Sequence, residues 1–226
     1  MTKKIPNITA RDFATILNVN PFQTPFQLLE TKIENKHKFF GNKFTDHGIK
    51  YEKLAIKTYE IFTGNIVDSE QKNTKHVEFD WITGRYDGIT SITEKPTKKR
   101  KRSALENSEK CIIEIKCPLK KDRIELLTLD TIPIYYWTQC QVYMNMLGCE
   151  TTHYVEYYIE PNAHENTGKL YLINVKINRK WWDESLPKIF QFYNEIKIYC
   201  EKGNLDEHPV RIAEIEWENN LFKKSF

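Results

Sequence analysis

The order of periodicities along the 226 residues predicts an α/β domain, with a mixed central β-sheet flanked by helices. Helical apolar spacing dominates up to about Gly64, and strand-like alternation takes over from about Val67. A further helical stretch, Ile134–Leu147, then precedes two more β-rich runs and a last amphipathic helix. Hydrophobic residues make up 40% and aromatics 13%, enough for a packed core, and the length fits one domain over residues 1–226.

The elements follow in order. Thr9-Ala10-Arg11-Asp12 has the Ser/Thr-x-x-acid form of a helix start and leads into Phe13, Ile16 and Leu17; Asn18 to Pro21 ends that helix. Thr24-Pro25-Phe26-Gln27 is a second start, with Thr as N-cap, Pro in the first turn and Gln at the third position. A longer helix begins near Thr45 or Asp46 and stops at Gly64, burying Leu54, Ile56, Tyr59 and Phe62. Val77, Phe79 and Trp81 then alternate, Thr83-Gly84-Arg85 turns, and Tyr86-Asp87-Gly88-Ile89 continues as an antiparallel partner. A polar, basic, flexible loop occupies about 94–109, and Cys111–Cys117 is a short strand closed by Pro118. After the 134–147 helix come strands at roughly 153–159 and 169–177, then a helix from about Lys180 to Cys200 stopped by Gly203. Trp181 and Trp182 open that helix as packing residues.

Charge is uneven. The formal balance of +3 includes six cations between Lys95 and Arg102; setting them aside turns it to −3, a slightly acidic body with one basic run. No window approaches the ~18 apolar residues of a membrane span, and no secretory leader is visible. Five cysteines without a CxxC pair argue against a zinc site or a disulfide framework and for an intracellular, reduced protein. Neither GxxxxGK[ST] nor GxGxxG is present, so no glycine loop advertises phosphate binding.

The chemistry concentrates in Asp87 and Glu114-Ile115-Lys116. Side chains two apart on a strand share a face, so Glu114 and Lys116 project together and Ile115 points to the opposite side. Two carboxylates and an ammonium at the ends of adjacent strands make a hard-oxygen site suited to Mg²⁺, and the Ile115 backbone carbonyl can add a ligand. Lys116 orients a water or stabilises charge on a phosphate, the layout of a metal-assisted phosphodiester hydrolase.

Asp87…Glu114-Ile115-Lys116 resembles the PD-(D/E)XK nuclease signature, with Tyr86 where Pro is common. Five ordered pieces extend the likeness to lambda-phage exonuclease and YqaJ-type viral recombinases. They are Ile8-Thr9-Ala10, Gly48-Ile-Lys-Tyr-Glu52, Tyr86-Asp-Gly88, Glu114-Ile-Lys-Cys-Pro118 and Gln139-Cys-Gln-Val-Tyr143. The resemblance implies a restriction-endonuclease-like core and a Mg²⁺-dependent 5′→3′ exonuclease acting on double-stranded DNA ends in recombination or replication. One or two ions are implied, with Mn²⁺ able to substitute. It also implies a homotrimeric ring and a single-strand annealing protein as partner. By position it assigns Glu52, Asp87 and Glu114 to the metal and Lys116 to catalysis. Gln139 flanks the site with Tyr143 one turn on, and Gln141 competes for the same role.

The family segment after Ile-Thr-Ala usually continues with Ser, part of a 5′-phosphate pocket shared with an upstream arginine. Arg11 stands there instead, with Lys4 seven residues before it, and both bind phosphate readily. Lys98, Lys99, Arg100, Lys101 and Arg102 form a run of the kind most often simply solvated, and read equally as a nuclear import signal or a non-specific DNA contact. The expected location is intracellular, in the nucleus or a viral replication compartment if the host is eukaryotic. Two other readings stay open: a structure- or site-specific endonuclease with the same metal site, and a non-catalytic DNA-end-binding module.

Overall fold

A computed structural model describes residues 4–37, 40–68, 73–93, 108–120, 128–160, 163–164 and 167–224. Among the described residues the main sheet has five strands: β2 (Val67–Asp68), β5 (Gly88–Thr93), β6 (Ser108–Lys116), β7 (Thr151–Tyr158) and β8 (Lys169–Lys176), side by side in that order. β6 is antiparallel to β5 and parallel to β7, which makes the sheet mixed as expected. Parallel neighbours need a crossover, and helix α4 (Ile134–Leu147) supplies it. A smaller sheet joins β1 (Ile8–Thr9), β4 (Ile82–Gly84) and β3 (Thr74–Lys75), with β1 parallel to β4.

The sheet separates two apolar layers. Ile112 and Tyr154 face α4 together with Phe13 of α1 (Asp12–Ile16), Leu28 and Leu29 of α2 (Pro25–Glu34), and Ile189, Phe192 and Ile196 of α5 (Arg179–Lys202). Ile113, Ile115, Val155 and Tyr157 face Ala55, Ile56 and Tyr59 of α3 (Lys43–Thr63). A central strand covered on both faces has no solvent side, so Cys111 through Ile115 are all buried, Glu114 included. That burial sets the chemistry of the site.

Local signals translate directly where side chains close on their own backbone. Thr24 and Gln27 form the reciprocal capping box at the start of α2, with Pro25 in the first turn. α4 has the expected bounds, and α3 ends where Gly64 takes φ +76°, a left-handed turn that costs glycine little. Trp182 stacks on Phe13 and His76, a packing role.

Other expectations need correction. Asp12 does reach back to the Thr9 amide at 2.7 Å, but Thr9 is held in β1, so α1 begins only at Asp12. α3 starts at Lys43, because Asn42 caps the Phe44 and Thr45 amides while Thr45 only returns the bond. Phe62 is 68% exposed and Ala55 takes its place against the sheet. Val77 is also exposed and is not in a strand; Thr83-Gly84, expected to turn, belongs to β4, which β1 recruits from far along the chain. A sixth helix, α6 (Pro209–Lys224), was not foreseen; Arg211 ties it to Glu30 and Glu34 of α2.

Candidate active site

β6 delivers two functional side chains to the α4 face. Glu114 is fully buried and Lys116 is 15% exposed, and their charged ends form a direct, short ion pair. Ile115 turns to the α3 face, as alternation requires. The buried Asp87, just before β5, accepts the Ile115 N–H at 2.7 Å, which fixes its carboxylate against the strand between Glu114 and Lys116.

Burial first, and the Asp87 charge second, push the Glu114 carboxyl up to about 7, against the pull of Lys116 and Arg11. Burial works to lower the Lys116 ammonium, but the Glu114 and Asp87 carboxylates outweigh it and hold it protonated. The Lys116 Nζ also lies 4.7 Å from the centre of the Tyr136 ring, whose face adds cation–π attraction. One Glu114 oxygen, Oε2, is buried without a hydrogen-bond partner. A buried carboxylate oxygen left in this way is costly unless a proton or cation meets it.

The wall of the site is built from β4 and α4. Gln139 Nε2 donates to the Tyr143 hydroxyl at 3.2 Å, and that hydroxyl donates to the Arg85 carbonyl at 2.7 Å. Burial, then the Glu114 charge, raise the Tyr143 phenol, so it stays a donor. Gly84 makes room for it: a Cβ there would stand 2.5 Å from Tyr143 Cε1. Gln139 therefore tethers the segment that carries Asp87.

Gln141 does something else. It donates to the Lys176 carbonyl at 2.9 Å and accepts the Asn178 amide at 2.7 Å, clamping β8 to the start of α5. Gln141→Ala removes both of these bonds from a fully buried side chain. Denaturant unfolding should show a loss of about 2 kcal/mol or more.

Arg11 stands at the start of α1 and its charge acts on both Glu114 and Tyr143, so the structure brings it to the site. Lys4 is placed differently: it is exposed, its carbonyl lies 4.0 Å from the Cys200 thiol of α5, and it is not among the charges acting on Glu114. Glu52, half-buried on α3, acts with Asp87 and Glu156 on Cys117, at the end of β6. Burial, and those carboxylates after it, push the Cys117 thiol up to about 12; burial does the same to Cys111, so neither is a thiolate ligand. The basic run Lys98–Arg102 lies outside the described residues.

Two residues at the site escaped the sequence reading. Tyr136 sits three positions before Gln139, on the adjoining turn of α4, and contacts Lys116. Glu156 is the cross-strand partner of Lys116 on β7, fully buried, and accepts the Tyr154 hydroxyl at 2.5 Å. Tyr154-Val155-Glu156 repeats the alternate spacing of Glu114-Ile115-Lys116, a pattern that could have revealed it.

The donor chemistry fits a hard divalent cation, because the side chains that converge are carboxylates and Glu114 Oε2 has no partner. Among the described residues, however, no three His, Cys, Asp or Glu side chains stand together as a formed metal cage. In this arrangement Glu114 is compensated by Lys116 instead.

A mixed sheet whose central strand carries Glu-x-Lys beside an aspartate defines the PD-(D/E)XK nuclease class. Within it, the chain belongs to the YqaJ-like viral recombinase domain family, which residues 3–153 match. An uncharacterized protein of Acanthamoeba polyphaga mimivirus is 27% identical over 143 residues, 62% of this chain but 25% of that protein. The chain thus spans about a quarter of that relative's length. The fold is shared with the alkaline exonuclease of Laribacter hongkongensis in a crystal complex with dAMP, at TM-score 0.67 and 18% identity over 92% of this chain and 95% of that one. A second crystal structure of that exonuclease gives TM-score 0.65, with 19% identity over 98% and 96%. A phage-related exonuclease of Haemophilus somnus 129PT gives 0.57, with 16% identity over 88% and 95%.

Proposed function

We propose that the chain is a metal-dependent deoxyribonuclease that hydrolyses phosphodiester bonds at double-stranded DNA ends, degrading one strand 5′→3′ with Mg²⁺, or with Mn²⁺ in its place. The observation that carries this is the fully buried Glu114 carboxylate, one oxygen unpartnered, set beside Asp87 and Lys116 on adjacent strands. A buried carboxyl flanked by a second carboxylate and a lysine costs stability and serves no packing purpose. The exonucleases that share the fold, one of them holding dAMP, support the same reading.

Glu52, Asp87, Glu114 and the Ile115 carbonyl would hold one or two ions. A bound ion polarises the scissile phosphate and lowers the pKa of a coordinated water. Lys116, held charged beside Glu114, is the group available to neutralise charge developing on phosphate oxygens or to align the attacking water. Gln139 and Tyr143 hold the Asp87 segment through the Arg85 carbonyl. Arg11 is the cation for a terminal 5′-phosphate, with Lys4 a weaker candidate.

The same reading makes residues 1–226 one nuclease domain that works as a homotrimeric ring with a single-strand annealing protein in viral DNA recombination or replication. It places the protein inside the cell, in the nucleus or a viral replication compartment of a eukaryotic host, with Lys98–Arg102 as import signal or DNA contact.

Linear duplexes with 5′-phosphate or 5′-hydroxyl ends, labelled on either strand, test this beside closed-circular DNA. The expected result is Mg²⁺-dependent loss of one strand from its 5′ end, with circles intact and EDTA stopping the reaction. Cut circles would replace the exonuclease with an endonuclease. Binding of ends without any divalent-dependent cleavage would leave only a DNA-end-binding module.

A further inference from the structure

The most exposed aromatic contact in this part of the molecule leads straight to the lysine of the site. The Phe22 ring is 79% exposed and meets Tyr135 edge-on, with centroids 5.7 Å apart at 78°. Tyr135 packs on Tyr136 at 4.4 Å, and Tyr136 lies under the Lys116 ammonium at 4.7 Å. Three short steps therefore connect the reacting end of β6 to a phenyl face in open water.

Phe22 is held out there by its backbone. Asn18 takes a left-handed φ of 58°, and the Val19 and Asn20 amides both bond the Ala14 carbonyl. The Asn20 side chain accepts the Phe22 N–H at 3.0 Å and donates to Thr15 Oγ1 at 2.8 Å. A turn locked in this way cannot easily fold its ring back into the core. Arg11, whose charge reaches Glu114, stands at the opposite end of the five-residue helix α1. At about 1.5 Å per residue, one short helix separates the cation from the aromatic turn.

We propose that Phe22 and Tyr135 form a stacking platform for an unpaired nucleobase of the DNA strand held at the Asp87–Glu114–Lys116 site. This rests on the nuclease reading above and adds a base-binding subsite to it. A nucleobase is the occupant that the surroundings favour: a strand phosphate at Lys116 and Arg11 brings its own bases within reach of these rings. Every base presents a π-face, so the contact reads no sequence and suits an enzyme that must accept any end.

The test is made on the full wild-type chain in EDTA, which keeps Lys116 in place and consumes no substrate. Duplexes with a short single-stranded 5′ overhang carry 2-aminopurine at each of the first few positions in turn. At one or two positions the fluorescence should be quenched on binding. Adding Phe22→Ala should abolish that quenching and weaken binding about tenfold, with the melting temperature unchanged because the ring is exposed. Phe22→Trp should retain both signals, and Phe22→Leu should lose them, since leucine keeps the apolar bulk without the π-face. Equal quenching and affinity with Phe22→Leu or Phe22→Ala overturns the platform. Absence of divalent-dependent cleavage by the wild-type chain overturns the nuclease reading, and the quenching still decides the platform.

Discussion

Lys116→Met is expected to lower DNA-end cleavage by about 10²- to 10⁴-fold while leaving the chain folded. Methionine keeps an unbranched stem in a position that is only 15% exposed, so packing between β6 and Tyr136 is largely preserved. What disappears is the positive charge in direct contact with Glu114. Left without it, the buried Glu114 carboxyl takes up a proton at neutral pH rather than persist as an uncompensated anion, so the variant loses charge chemistry but not its fold. Lys116→Arg should fare little better. A planar guanidinium cannot replace a compact ammonium in a space bounded by Glu114, Asp87 and the Tyr136 ring. Single-turnover rates at saturating enzyme separate chemistry from binding. A rate for Lys116→Met within threefold of wild type would remove Lys116 from the mechanism.

How much of this was visible in the sequence depends on how far the determining contact lies along the chain. The α2 capping box, the bounds of α4 and the shared face of Glu114 and Lys116 are set within three or four residues or by strand alternation, and they read correctly. β4 is different. Thr83-Gly84 has turn chemistry, and it becomes a strand by pairing with β3 on one side and, on the other, with β1, some seventy residues earlier. The same non-local pairing shortened α1, because Thr9 could not both cap a helix and pair with Thr83. Gln139 and Gln141 are indistinguishable as letters on one helix. Their roles part only when the fold joins Gln139 to the Tyr143 hydroxyl that holds Arg85, and Gln141 to Lys176 and Asn178. Tyr136 and Glu156 were missed for the matching reason: an aromatic beside a lysine and an acid on the next strand acquire meaning only through register.

In the absence of divalent metal, Glu114 should make the protein less stable as pH rises from about 4.5 towards 7. Its carboxyl titrates near its ordinary 4.5 when unfolded and near 7 when folded, so the stability it gives is complete below 4.5 and lost as pH passes through 7. At about 1.4 kcal/mol per pKa unit, the loss amounts to about 3 to 4 kcal/mol. Lys116 adds no slope in this window, because it is raised rather than lowered and stays protonated throughout. His153 works in the opposite sense. Burial against Tyr59 depresses it to about 4, so its contribution grows as pH rises to its ordinary 6.5. The decisive quantity is therefore the difference between wild type and Glu114→Gln, which share His153 and differ only at the carboxyl. Urea unfolding in EDTA at pH 5, 6, 7 and 8 should show Glu114→Gln gaining on wild type at each step. Millimolar Mg²⁺ should then restore stability to the wild type at pH 8, where the carboxylate is free to bind, and leave Glu114→Gln unmoved. Parallel pH profiles for the two proteins would mean that Glu114 is not held as a strained buried acid. A Mg²⁺ effect of equal size on both would mean that the ion binds elsewhere. If both expectations hold, the instability of this carboxyl without metal and its affinity for metal have one cause: an oxygen buried with nothing to meet it.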